Sequence, residues 1–233
     1  MALDPRWKLP QGKTPEQLYD ALAQLVRELR KGDYLSASGV SYDNSTSGLA
    51  ADDVQEAVDE LAGNQGLVLL ESGTFSSSPA LDIVLSSYTA YRGIRLMLSS
   101  IVPGTSADVL WLRFSTDGGS TFATTNYEYA MTGLATASDT PFVIRNNGQA
   151  QIVLTSGLHT SDGGANLIID WLDHLATRNP RLSVSSNYRN SSGVRSMATG
   201  MVERTTSAAY NALRVFLSTG NIASGSWALY GYR

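Results

Sequence analysis

A chain of 233 residues with 42% apolar and 16% charged residues can bury one sizeable core and carry an appendage. Its formal net charge of −4, without any cluster of Lys or Arg, gives no electrostatic footprint for nucleic acid, and no nucleic-acid partner is expected. Cysteine is absent, which excludes disulfides, thiolate metal sites and thiol catalysis.

The segment Met1 to Pro10 carries Asp4 and Arg6 and has no apolar stretch, unlike a secretory leader, so synthesis in the cytoplasm is expected. The longest apolar runs, such as Leu67 to Leu70, are far too short to span a bilayer, and no membrane insertion is expected. The first predicted element is a helix within residues 1–35, read as an N-terminal anchoring helix. Thr14 at N-cap, Pro15 at N1 and Gln17 at N3 form a capping-box pattern, and Gly32 supplies a stop. Leu18, Leu22, Leu25 and Leu29 follow a four-three-four spacing. That seam suits either a helix lying on its own β-domain or a short dimeric or trimeric bundle, and two heptads alone do not hold a coiled coil.

Residues 36–65 read as a Ser/Asn/Gly-rich extended linker and a second short helix. Asp52 is the expected N-cap with Gln55 at N3, and Gly63 the stop. Val54, Ala57, Val58 and Leu61 share one helical face, expected to dock on a neighbouring subunit or on the next domain.

From Gly66 the apolar period changes from 3.6 to 2. Leu81, Ile83 and Leu85 alternate with Asp82 and Val84; the same pattern runs through Ile94–Leu98, Leu110–Phe114 and Leu213–Leu217. Further strands are predicted near 67–71, 124–130, 141–145, 151–155, 166–172, 181–188, 194–203 and 226–232. Turn signals separate them, among them "TDGGS" at 116–120, "RNNGQ" at 145–149 and "STGN" at 218–221. Strands without intervening long helices predict a mainly β chain. The expected body, 66–233, is an antiparallel β-sandwich or jelly-roll domain, preceded by an arm with two short helices.

Three stretches resemble structural proteins of tailed phages and of phage-like gene transfer agents. "SGLAADDVQEAVDELAG" at 47–63 is similar to a segment that precedes the distal β-domain of tail fibres, with Leu49, Val54, Gln55, Ala57, Glu60 and Leu61 in place and Val58 where Ile is usual. The ending "LRVFLSTGNIASGSWALYGYR" at 213–233 is similar to the close of many phage-particle β-domains, carried by Gly220, Ile222, Ser224, Gly225, Leu229, Tyr230 and Gly231. "WLRFSTDGGSTF" at 111–122 resembles the same kind of domain. The resemblance implies a virion structural protein, a tail fibre or head spike subunit, with a trimer and other particle proteins as partners. Leu18, Leu22, Leu25, Leu29, Val54, Val58 and Leu61 are then the candidate oligomer or anchoring contacts.

Residues 115–122 also fit one Asp-box, which reads as a structural turn since no second copy exists. His159 and His174 lie in no ligand-spaced cluster, and "DWLDH" at 170–174 reads as a polar strand end on which Asp170 and His174 share a face. Asp162 and Asn166 make at most a calcium half-site. No paired carboxylates, P-loop or nucleophile elbow is placed, so no catalytic residue, metal or cofactor is expected and the chain is read as not an enzyme. Attachment to a cell-surface polysaccharide is the expected role. Trp111, Tyr127 and Tyr129 are the candidate ligand contacts, although for Trp111 packing at a subunit interface or against a second sheet is the favoured reading. A connector without a ligand, and a glycan-cleaving fibre, are the alternatives.

Overall fold

The structure is a computed structural model that describes residues 14–30, 37–43, 45, 49–63, 66–161 and 163–233. The chain divides into two compact units, Met1–Gln65 and Gly66–Arg233.

In the first unit α1 spans Pro15–Arg30. Thr14 N–H donates to Gln17 Oε1 at 3.3 Å, the reciprocal half of a capping box. Tyr19, Leu22 and Val26 are exposed; Gly32 and the side chains of Leu18, Leu25 and Leu29 lie outside the described residues. The second helix, α2, spans Val54–Gly63. Its cap is Asp53 rather than Asp52: the Asp53 carboxylate accepts Glu56 N–H at 2.8 Å, and Glu56 reaches back to Asp52 N–H at 3.1 Å. A capping box shifted by one residue satisfies the same orphan donors. On the predicted face Ala57 is buried, whereas Val58 is 53% and Leu61 56% exposed. Part of the supposed linker is folded. Ala37–Gly39 forms a 3-10 turn, Ser41 bridges Asp53, and Val54 N–H donates to Val40 O at 3.0 Å.

The second unit holds β1 (Leu67–Ser78), β2 (Ala80–Val84), β3 (Gly93–Pro103), β4 (Leu110–Ser115), β5 (Tyr127–Ala135), β6 (Ser138–Gln149) and β7 (Ile152–Val153). After these come β8 (Ala165–Leu172), β9 (Thr177–Arg178), β10 (Arg181–Arg189), β11 (Arg195–Arg204), β12 (Ala208–Ala209), β13 (Ala212–Leu217) and β14 (Ile222–Tyr232). An eight-stranded sheet runs β1-β14-β3-β8-β10-β11-β5-β6 and a four-stranded sheet β2-β13-β4-β7, with β9 and β12 paired apart. Every pairing is antiparallel. The chain is mainly β, and its body is an antiparallel β-sandwich.

Alternation dictates this. Leu81, Ile83, Leu110, Leu112, Phe114, Leu213 and Val215 of the smaller sheet are buried and join one apolar cluster with Ile94, Leu96, Leu98, Leu167, Ile169, Leu182 and Val184 of the larger. Each intervening residue turns to the opposite face. The first and last strands of the body are neighbours, with Leu67 opposite Tyr232.

The turn predicted at 145–149 is not a strand end. β6 runs through it to Gln149, and the register shifts opposite Tyr127/Tyr129, with Gly148 at φ 63°. A β-bulge uses the same residues that a turn does. The β5–β6 turn falls at Thr136–Ala137, where no Gly, Asn or Pro marks it.

Candidate ligand-binding face

Because the inner positions of the smaller sheet go to the core, its outer positions form an open face. Register brings Ala80, Phe216, Trp111 and Val153 into one row across four strands, and Asp82, Arg214 and Arg113 into the next. Trp111, Arg113, Arg214 and Phe216 are half-buried. The Trp111 and Phe216 rings meet edge-on, centroids 5.6 Å apart and planes at 75°. The Arg113 guanidinium carbon lies 5.1 Å from the Phe216 centroid, a cation–π distance. Arg113 Nε–H donates to Ala150 O at 3.1 Å and Nη2–H to Gln151 Oε1 at 3.0 Å. Arg214 grips Asp82 by two bonds of 2.6 Å each, and its guanidinium carbon sits 4.2 Å from the Phe122 ring centroid.

Phe122 arrives there through the Asp-box turn. The Asp117 carboxylate accepts Ser115 Oγ–H at 2.6 Å, Thr121 N–H at 2.9 Å and Thr121 Oγ1–H at 2.6 Å. Gly118 and Gly119 have φ of 72° and 89°, left-handed values that favour glycine. The bonds from Ser115 and Thr121 pull the Asp117 carboxyl down to about 2. A lowered folded-state value adds stability above the unfolded value of ~3.9, and that stability is lost as pH falls toward 2. Following the Asp117 side-chain carbonyl by NMR should give a midpoint near 2; a midpoint near 4 would show that the turn is not closed this way.

Two predicted contacts land elsewhere. Tyr127 is fully buried on the inner face of the larger sheet, where its hydroxyl accepts Phe114 N–H at 2.8 Å and donates to Ala123 O at 3.1 Å. Burial pushes it up to about 12. A ring with no open face and a spent hydroxyl is not a ligand contact. Tyr129 is also on the inner face and 7% exposed; burial raises its hydroxyl, against a hydrogen bond from Asn146. It reaches the wall of an open groove of about 440 Å³ beside Glu128, Arg145, Asn146 and Met201, at the β6 bulge. Only Trp111 of the three candidates sits on the aromatic face of the smaller sheet.

Asp170 and His174 do not share a face. Asp170 lies on the outer side of the larger sheet, held by Arg95 at 2.7 and 2.8 Å and by Tyr232 Oη–H at 2.6 Å. Burial raises its carboxyl and these bonds outweigh that, leaving it below the usual value. His174 turns inward, 1% exposed, edge-on to Trp171, with neither ring nitrogen bonded; burial lowers its pKa against the charge of Asp173. Among the described residues no three His, Asp or Glu side chains are grouped to hold a metal, and no helix is long and apolar enough to cross a membrane. Asp162 lies outside the described residues.

Arg113, Arg214, Phe216, Phe122 and Gln151 escaped the sequence reading. Alternation sets Arg113 on the Trp111 face of β4, but which strands are neighbours was not readable: Arg214, Phe216 and Gln151 join through cross-strand placement, and Phe122 through its turn.

No known family model matches the chain, and no curated protein matches it significantly.

Proposed function

We propose that this chain is a structural subunit of a phage-like particle, a fibre or spike, whose β-sandwich attaches to a cell-surface polysaccharide through the outer face of the smaller sheet. The observation that carries the reading is the half-buried Trp111–Phe216 pair with Arg113 beside it on the outer face of the smaller sheet. Sugar rings are bound by an aromatic surface that packs on their C–H faces and by planar polar groups that reach their hydroxyls. Arg113 and Gln151 supply the planar groups next to the rings. Several acids of the body serve as structural partners, Asp82 to Arg214, Asp117 to its turn, Asp170 to Arg95 and Glu203 to Arg181, which favours binding over cleavage.

Exposed Leu22 on α1 and Val58 and Leu61 on α2 suit contacts with further copies or with other particle proteins. A symmetric trimer would convert weak single-site binding into firm attachment. The full-length chain on a glycan array should bind a defined polysaccharide class, and Trp111→Ala should weaken that binding at least about tenfold, the scale of one lost aromatic contact. Native mass measurement should give a trimer. Absence of binding to any glycan, with an intact fold, sinks the adhesive reading.

A connector reading has its own support. The outer face of the larger sheet exposes Leu134 (51%), Val143 (59%), Leu172 (62%), Met197 (51%) and Met201 (47%). Such a surface fits protein contacts. Retained particle assembly with Trp111→Ala, and failed assembly with Met197→Asp, would separate the two roles.

A further inference from the structure

On the smaller sheet Arg113 and Arg214 are a directly opposed cross-strand pair. Like charges at such positions destabilise a sheet. Asp82 answers only one of them: both of its oxygens are tied to Arg214, each bond 2.6 Å long. Arg113 bonds only neutral acceptors, Ala150 O and Gln151 Oε1, and no carboxylate lies within ion-pair reach of it among the described residues. Its Nε–H and one Nη2–H are engaged, which leaves both Nη1 hydrogens and the second Nη2–H for another acceptor. The side chain is thus fixed by two hydrogen bonds and the Phe216 ring, half-buried, and short of one negative charge. Little ordering is left to be done when an anion arrives.

Trp111 stands two residues away on the same strand face, about 6.5 Å along β4. Side chains rising from positions so spaced on one face can meet one sugar ring and the carboxylate on its exocyclic carbon. The ring's C–H face would lie against the indole, and the carboxylate would meet the unused N–H groups of Arg113. A planar two-oxygen acceptor fits a guanidinium better than a hydroxyl does, because both oxygens can be met at once.

We infer that the ligand of this face is an acidic polysaccharide, with Arg113 taking the carboxylate of a hexuronate residue stacked on Trp111. The inference rests on the proposed polysaccharide-binding role and adds the charge class of the ligand and the residue that selects it.

The test uses the full chain and oligomers of galacturonate, mannuronate and glucuronate, each beside its carboxyl-reduced neutral counterpart, in titration calorimetry at low and high salt. At least one acidic oligomer should bind about tenfold or more tighter than its neutral counterpart, with the gap narrowing as salt rises. Arg113→Gln should erase the gap, Arg113→Lys should retain part of it, and Trp111→Ala should weaken acidic and neutral forms together. Arg195→Gln, a charge change on the larger sheet, should leave the gap intact. A thermal melt of each variant checks its fold, and if Arg113→Gln does not fold, the Lys variant and the salt series decide. Equal binding of both forms, or a gap that survives Arg113→Gln, overturns the inference and leaves polysaccharide binding standing. Binding to neither form while other glycans bind overturns it equally. Binding to no glycan removes the functional reading and the inference together.

Discussion

Replacing Phe114 with alanine should cost the β-sandwich about 3–5 kcal/mol, the range for a fully buried aromatic. Phe114 is 0% exposed and belongs to the smaller sheet. Its ring meets Trp171 at 5.0 Å and Tyr127 at 6.0 Å, both on the larger sheet, and Tyr210 at 5.5 Å. One side chain of the smaller sheet therefore joins the larger sheet to the segment between β12 and β13. Truncation opens a cavity between the sheets that rigid β-backbones cannot close. Phe114→Leu, which keeps most of the volume, should cost less than half as much. Urea unfolding of the full chain measures both, and a loss below about 1 kcal/mol for the alanine variant would contradict this core.

Gly200→Ala should destabilise the larger sheet by about 3 kcal/mol, at the upper end of the overpacking range, although it adds one methyl group. A Cβ built at Gly200 falls 2.1 Å from Ala130 O and 2.6 Å from Met131 Cα. Both obstacles are backbone of β5, paired directly to β11 at this point. No rotamer change relieves such a clash; the strands have to separate or slip. Gly66→Ala is the comparison, since nothing lies within 4 Å of its Cβ position. Matched thermal melts should show a large fall for the first and almost none for the second. Equal melts would mean that β11 and β5 are not in this register.

Alternation made most of the β-body readable: Ile94, Leu96 and Leu98, or Leu213, Val215 and Leu217, announce a buried face without any knowledge of their partners. Capping residues made α1 readable to its first turn, while two adjacent aspartates left the start of α2 ambiguous by one position. "RNNGQ" misled because bulges and turns draw on the same residues, and the hairpin at Thr136–Ala137 was silent because a tight turn can form without Gly or Asn. Tyr127 and Tyr129 were correctly placed on one face, but a period of two cannot say which face is covered by a second sheet. The candidate site was legible in one residue, Trp111. Arg113 follows on the same face of β4, whereas Phe216 and Arg214 come from β13, about a hundred positions on in sequence, and Phe122 from a turn whose direction only the folded chain reveals.

β1 and β14 lie side by side, so residue 66 and Arg233 emerge from the same end of the sandwich. Where the pull is applied then decides how the body resists. Tension between residue 66 and Arg233 opens the ladder rung by rung from Leu67–Tyr232, each bond bearing the whole load in turn. Tension between residue 66 and an anchor at the opposite end loads the rungs of β1 together, in shear. A body held at residue 66 and pulled from its opposite end would therefore meet the load in the stronger of these two directions.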